Sequence, residues 1–320
     1  MPTGSANEAA LWPCREPVAP FVANMPASDE TSIESVALAI TAKEPDPVRR
    51  LKALHDWVAT RLRHDRAREA SPSSATSLKS FWETHAPPRT PATAFSTQTY
   101  GPYPPAADIV FRSRVGVCGD YASLLSELGK YAGLDVKYVT GYARTWDDDV
   151  GYHAWNVAHV GDQYLMIDAT WDSRPYSTEY LFVPPAIFAQ SHLPDREEDL
   201  HTNTEINRVT IGAHPLMTPS FYAAHLSFIG EVGNPMFTKG PARLAIDNPE
   251  QHALVAFAFA TRRTVGGAYS TCTVTPGNKT TISCLLPNPG DYQILAASAP
   301  MKNEPGSVGV PWAFVHTIEE

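Results

Sequence analysis

The sequence contains no apolar run of 18 residues, so no segment in it reads as a transmembrane helix. Its opening, M-P-T-G-S-A-N-E-A-A, has neither a basic nor an apolar stretch, and no signal peptide is read there. Basic charge is also scarce: 25 Lys and Arg against 34 Asp and Glu give a net charge of −9. That excludes nucleic acid as the expected partner, because phosphate binding needs clustered cations. Cysteine is sparse, at positions 14, 118, 272 and 284. None forms C-x-x-C or has zinc spacing with histidine, so no metal and no cofactor are expected. The acidic run Asp147-Asp148-Asp149 lacks the alternating ligands and glycine of a calcium loop and reads as a solvated loop. Disorder is not indicated either, with 43% hydrophobic and 18% charged residues.

What is abundant is proline, at 29 residues, which predicts many loops and few long helices. A chain of 320 residues predicts two domains. Residues 1–44 read as a loose N-terminal arm with a short helix near Ile33 to Thr41. Residues 45–185 form the expected α+β core. Asp46 before Pro47 is a helix start, and Val48, Leu51, Leu54, Val58 and Leu62 follow at helical spacing. Residues 66–108 are rich in Ser, Thr and Pro; Phe81, Trp82, Phe95, Tyr100 and Tyr103 suggest that part of this loop packs down, where it could wall the cleft, and an exposed insertion is the other reading. A second helix is predicted from Gly119, stopping at Gly133, followed by strands at Val136–Tyr142, Tyr152–Val160 and Gln163–Ile167.

Residues 186–225 read as a connecting segment. Residues 226–320 carry seven short β-rich runs between turn signals, the pattern of an immunoglobulin-like β-sandwich that could bind a protein or cell-wall partner. Within it, Cys272 and Cys284 flank the turn P-G-N-K. A hairpin centred near Asn278 would set them opposite each other, within disulfide reach; two buried free thiols is the other reading. A disulfide would favour an extracytoplasmic or secreted location, with the cytoplasm left open.

The chemistry concentrates between Val115 and Trp171. Cys118, in V-G-V-C-G-D, stands at a helix start, where the dipole and unpaired N–H groups favour a thiolate and could stabilise an oxyanion. Gly119 lets a substrate carbonyl approach the backbone. His153 lies on a strand in G-Y-H-A-W-N and shares a face with Trp155; Gly119 and Trp155 are the expected substrate contacts. If Val160 pairs with Gln163 across a tight turn, His153 faces Thr170 and Asp168 becomes its diagonal neighbour. Nucleophile, base and orienting acid then stand in the order Cys118, His153, Asp168, the set that thiol-based acyl transfer on a protein or peptide substrate requires.

These three motifs, with the helix L-H-D-W-V-A-T-R-L-R-H-D before them, resemble the transglutaminase-like superfamily of papain-related enzymes. The segment Y-L-F-V-P-P-A-I-F-A-Q-S-H-L-P-D resembles the kyphoscoliosis peptidase branch. The resemblance covers roughly residues 45–225. It implies a cysteine-bearing central helix against an antiparallel sheet, and a cysteine peptidase, amidase or transglutaminase with a Cys118–His153–Asp168 triad. The alternative is a catalytically inert transglutaminase-like scaffold for a cell-wall or cytoskeletal partner. Two positions depart from the pattern. Arg112 stands where papain-like enzymes have their oxyanion glutamine, leaving Gln98 or an aromatic of the preceding loop as candidates, and His64 stands where the family often has Tyr.

Overall fold

A computed structural model describes residues 11–65, 76–77, 106–145, 149–207, 210–233, 236–238, 240–260, 269–286, 291–298 and 311–319. The expectations placed on Phe81, Trp82, Phe95, Gln98, Tyr100, Tyr103, Asp147 and Asp148 lie outside them. The chain divides into two compact units, one built from residues 2–145 and 149–204, the other from 205–320.

The first unit opens with α1 (Pro20–Ala23), α2 (Ile33–Lys43) and α3 (Pro47–Arg61). α3 begins where cap and proline coincide. The Asp46 carboxylate accepts from the N–H groups of Val48 (3.1 Å) and Arg49 (2.9 Å), and Pro47 takes the first helical position, which needs no N–H. Leu51, Leu54, Trp57 and Val58 on this helix are fully buried in the core of the unit. The chain leaves α3 through β1 (Arg63–His64); β2 (Thr76–Ser77) and α4 (Ala107–Ser113) follow in sequence. α4 starts inside the stretch read as loop, because A-D-I-V-F-R-S after Pro105 contains no helix breaker.

β3 (Val115–Gly116) pairs in parallel with β1, His64 opposite Gly116, and fixes the approach to α5 (Cys118–Tyr131). The Asp120 carboxylate caps α5 by accepting from the Val117 N–H at 2.9 Å. Gly116 makes room for that cap, since an added Cβ would lie 2.4 Å from Asp120 Cβ. Gly133, in the left-handed region at φ 70°, ends the helix.

A mixed helix–sheet layer follows: β4 (Asp135–Arg144), β5 (Asp149–Val160), β6 (Gln163–Ile167), β7 (Leu181–Val183), the short α6 (Pro185–Phe188) and β8 (His192–Pro194). The sheet order is β7-β6-β5-β4-β8 with antiparallel neighbours, and β2 pairs with β5. Val160 faces Gln163 and Asn156 faces Ile167, so β6 ends before Asp168. The Asn156 amide donates to the Ala122 carbonyl at 2.9 Å and ties α5 to the centre of β5. His153 to Ala158 are all buried, so this part of β5 is covered on both faces and has no solvent side. Gly141 on β4 allows β8 to close in: a Cβ there would stand 2.1 Å from the Leu193 carbonyl oxygen and 2.8 Å from the Trp155 ring.

The second unit contains β9 (Leu216–Met217), α7 (Pro219–Ala223) and β10 (Ser227–Phe228), then β11 (Met236–Thr238), β12 (Ala242–Asp247) and β13 (Leu254–Ala260). It continues with β14 (Tyr269–Thr271), β15 (Thr273–Thr275), β16 (Lys279–Cys284), β17 (Asp291–Ser298) and β18 (Pro311–Glu319). One sheet runs β10-β12-β16-β15; the other runs β11-β18-β17-β13-β14, with β9 pairing β18. Leu244, Ile246 and Ile282 of the first share one apolar core with Ala258, Ile294 and Ala296 of the second. Between β14 and β15 the chain breaks at Cys272: β14 belongs to one sheet and β15 to the other. The register Thr273 to Ser283 brings Cys272 opposite Cys284, and the two are disulfide-bonded with Cα atoms 4.3 Å apart. Residues 186–225 therefore divide, with β8 completing the sheet of the first unit and β9 joining the second.

Two substitutions test this arrangement. Replacing Cys272 and Cys284 together by Ser is expected to cost about 3 kcal/mol in the second unit, from the entropy of the short loop they close. An unchanged urea midpoint would show that the bond constrains nothing. Gly141→Ala is expected to destabilise the first unit by about 1–3 kcal/mol by forcing β8 outward; retention of the native melting temperature would contradict the close approach.

Candidate active site

Cys118 is the first residue of α5, buried and free of any disulfide. In the first turn the Asp120 N–H donates to the Val117 carbonyl at 2.8 Å, and the helix start presents positive partial charge near the thiol. Cys118 is close enough to His153 to help raise the titration of its imidazole. The His153 Nε2 lies 2.6 Å from Asp168 Oδ2. The strand register places these groups as neighbours: β5 carries His153 past the end of β6, and Asp168 is the first residue beyond it.

Electrostatics in this buried pocket are strong. Burial alone would push the His153 pKa down. The Asp168 and Cys118 charges and the hydrogen bonds to both overcome it and raise it to about 10. Burial would likewise raise the Asp168 carboxyl, but the His153 charge, its hydrogen bond and that of a second imidazole hold it well below the usual carboxylate range.

That second imidazole is His192 on β8, whose Nε2 lies 3.3 Å from the same Asp168 Oδ2. Its Nδ1 is 2.8 Å from Ser191 Oγ. Its ring stacks on Phe188 at 3.9 Å and packs near Trp171 (4.5 Å) and Trp155 (5.1 Å). Desolvation in this aromatic setting outweighs the Asp168 contact and pushes the His192 pKa down to about 4. The ligand atoms of His153, Asp168 and His192 lie within 4.8 Å of one another, a set of the kind that holds a divalent ion. The 2.6 Å contact between Nε2 and Oδ2 is a hydrogen bond, and it would have to open for a metal to enter between them.

The structure brings His153 and Asp168 together, with Cys118 near enough to His153 to raise its titration. Gly119 is buried beside Cys118 in the first turn of α5. Trp155 is only 2% exposed and underlies the imidazoles as packing, which corrects its expected part as a substrate contact; a side chain with no open surface has none to offer. Trp171, half-buried with its ring 5.3 Å from His153, has the exposure that Trp155 lacks. Arg112 points outward from α4 and pairs with Asp108, so it does not take the place of the oxyanion glutamine.

Asp172, the other diagonal of the strand register, serves a different histidine. Its Oδ2 lies 3.1 Å from His55 Nε2 on α3, and its carboxylate also accepts from the Tyr180 N–H. His55 is fully buried; burial lowers its pKa, and the Asp172 and Asp56 hydrogen bonds and charges raise it to about 9. The two aspartates of D-A-T-W-D thus each hold one histidine, and the second pair bolts α3 to the loop that carries Asp168. Sequence reading missed both His192 and this brace. The only signal was H-L-P in a proline-rich segment and H-D in a helix, neither of which names a partner.

Residues 89–169 match the profile of the transglutaminase-like superfamily, an interval that includes Cys118, His153 and Asp168. This chain carries a transglutaminase-like domain. The kyphoscoliosis peptidases of Homo sapiens and Mus musculus are each 26% identical to it over 106 residues, covering 28% of this chain and 16% of their own. Among solved structures, a TGase is similar with a TM-score of 0.30 and 14% identity, over 51% of this chain and 36% of its own. A proposed cysteine protease from Cytophaga hutchinsonii is similar with a TM-score of 0.30 and 18% identity, over 52% and 48%.

The shifted groups set how stability depends on pH. His153 and His55 bind their protons more tightly when folded, so their contribution is complete below pH 6.5 and is lost as pH rises through about 9 to 10. His192 behaves oppositely. As pH falls from 6.5 toward about 4, the unfolded chain takes up a proton that the folded one refuses. Asp168 adds a further loss on the acid side, below the ordinary carboxylate value of 3.8. Thermal melts are expected to peak near roughly pH 6–7 and to fall on both sides. A melting temperature that keeps rising from about pH 7 to 9 would contradict the raised histidines.

Proposed function

We propose that this chain is a cysteine-dependent acyl-transfer enzyme acting on peptide or amide bonds, with Cys118 as nucleophile, His153 as general base and acid, and Asp168 as the orienting acid. The observation that carries the reading is the His153 imidazole, held at 2.6 Å by the buried Asp168 carboxylate, with Cys118 near enough to raise its titration. In the reacting form the Cys118 proton is carried by His153, whose charged form the Asp168 carboxylate stabilises.

The thiolate attacks the substrate carbonyl carbon and forms a C–S bond, and the carbonyl electron pair moves to oxygen. First-turn N–H groups of α5 stand at hand to stabilise that oxyanion. As it collapses, the C–N bond breaks and His153 gives its proton to the leaving amine, leaving a thioester on Cys118. The now neutral His153 takes a proton from the acceptor, which attacks the thioester and releases the sulfur as thiolate. With water as acceptor the enzyme is a peptidase or amidase; with an amine it is a transglutaminase. The similarity to kyphoscoliosis peptidases, over 16% of their length, supports the former.

The second unit offers no comparable constellation among its described residues. An immunoglobulin-like module that binds a protein or cell-wall partner is the reading we assign to it. The Cys272–Cys284 bond favours an oxidising, extracytoplasmic setting.

Iodoacetamide labelling of the native protein with mass mapping tests the site without a known substrate. Cys118 is expected to react at least about tenfold faster than the same thiol in the urea-unfolded chain. His153→Ala is expected to reduce that rate by about a hundredfold. Native labelling no faster than that of the unfolded thiol would remove the enzyme reading and leave the inert scaffold.

A further inference from the structure

Asp168 is held by four donors. Oδ1 accepts the N–H groups of Thr170 (2.9 Å) and Trp171 (3.1 Å), and Oδ2 receives His153 at 2.6 Å and His192 at 3.3 Å. The first two come from the turn just beyond Asp168 and the third from the proposed base itself. Only His192 arrives from a distant segment, on an edge strand registered against β4 with Ala143 opposite. We propose that His192 is a positioning residue of this site: its Nε2–H fixes the Asp168 carboxylate in the orientation from which it directs His153 at Cys118. The proposal rests on the reading of Cys118, His153 and Asp168 as the reacting group.

His192 is well placed for that work and for little else. It is 1% exposed, so it does not meet a substrate. Its ring is clamped by Phe188, Trp155 and Trp171, and Ser191 Oγ fixes the far nitrogen. With the proton on Nε2 it donates to Asp168 while Nδ1 accepts from the Ser191 hydroxyl. This neutral donor draws off part of the carboxylate's charge without adding a cation beside His153. The ionisable groups facing it are Asp168 at the end of β6, His153 on β5 and Tyr180 before β7, with Cys118 acting through His153. Two consequences follow from deleting the donor but keeping the ring. More of the Asp168 charge falls on His153, whose titration moves upward, and the carboxylate gains freedom to turn, which slows the chemistry of Cys118.

The test compares the full chain with His192→Phe and His192→Gln. Phe keeps the aromatic stack and removes the hydrogen bond; Gln presents an amide N–H near the position of Nε2 and removes the aromatic ring. Each is read by the NMR titration of the His153 imidazole and by the pH profile of Cys118 alkylation. In His192→Phe the His153 midpoint is expected to rise by about half a pH unit, the effect of one neutral hydrogen bond. Alkylation at neutral pH is expected to slow by about 10- to 100-fold. In His192→Gln both readouts are expected to return close to native, the rate within about threefold.

Native behaviour of His192→Phe in both readouts would overturn the proposal and leave His192 as packing. So would His192→Gln behaving like His192→Phe. Should His192→Phe fail to fold, His192→Asn, whose amide is too short to reach Asp168, takes its place. If native Cys118 shows no enhanced alkylation, the enzyme reading fails on its own, and the His153 titration still decides whether His192 governs Asp168.

Discussion

The first unit depends on one buried carboxylate. Asp168 is 1% exposed, and a charge so far from water persists only where hydrogen bonds replace its hydration. Two backbone N–H groups and two imidazoles do so here. Each donor places a demand on the fold. The Thr170 and Trp171 amides require the chain to turn sharply after β6. His153 requires β5 to run past the end of β6. His192 requires β8 to close along β4, which it does only because Gly141 has no side chain. The brace from Asp172 to His55 then ties that turn to α3, and the β1–β3 ladder ties the exit of α3 to the start of α5. The position of Cys118 is thus linked to that of Asp168 by two routes, one through the imidazole and one through the backbone.

Much of this was legible because it is local. Asp46-Pro47 marks a helix start by the chemistry of its own first turn, and the chain obeys it. The V-G-D-Q turn sets Val160 against Gln163, and from that one pairing the proximity of His153 and Asp168 follows by counting. The P-G-N-K hairpin brings Cys272 and Cys284 together by the same arithmetic. What escaped depends on pairings between segments far apart in sequence. His192 lies 24 residues beyond Asp168, and its side chain has meaning only once β8 lies on β4. The break at Cys272 is invisible in a run of β-formers, because a strand that changes sheets keeps its composition. Trp155 was misread for a related reason. Alternation along β5 suggests an open face, but covering segments bury both sides of the strand from His153 to Ala158.

Two histidines on one carboxylate raise the question of which one carries charge. The carboxylate that the two rings share favours one imidazolium, and a second beside it would be repelled, so the two titrations separate, His153 to about 10 and His192 to about 4. The asymmetry has identifiable causes. His153 lies closer to Asp168, at 2.6 Å against 3.3 Å, and has a second acidic neighbour in Cys118. His192 faces aromatic rings and a neutral hydroxyl, which offer a cation in the ring plane little to replace water. The proton therefore resides on the imidazole whose titration Cys118 also raises, where general acid–base chemistry needs it, and the other ring remains a neutral donor. Interchanging those surroundings would place the cation against Phe188 and leave the thiol beside a neutral base. Packing around His192 thus keeps that ring neutral, and the shared carboxylate stabilises the charge on His153 instead.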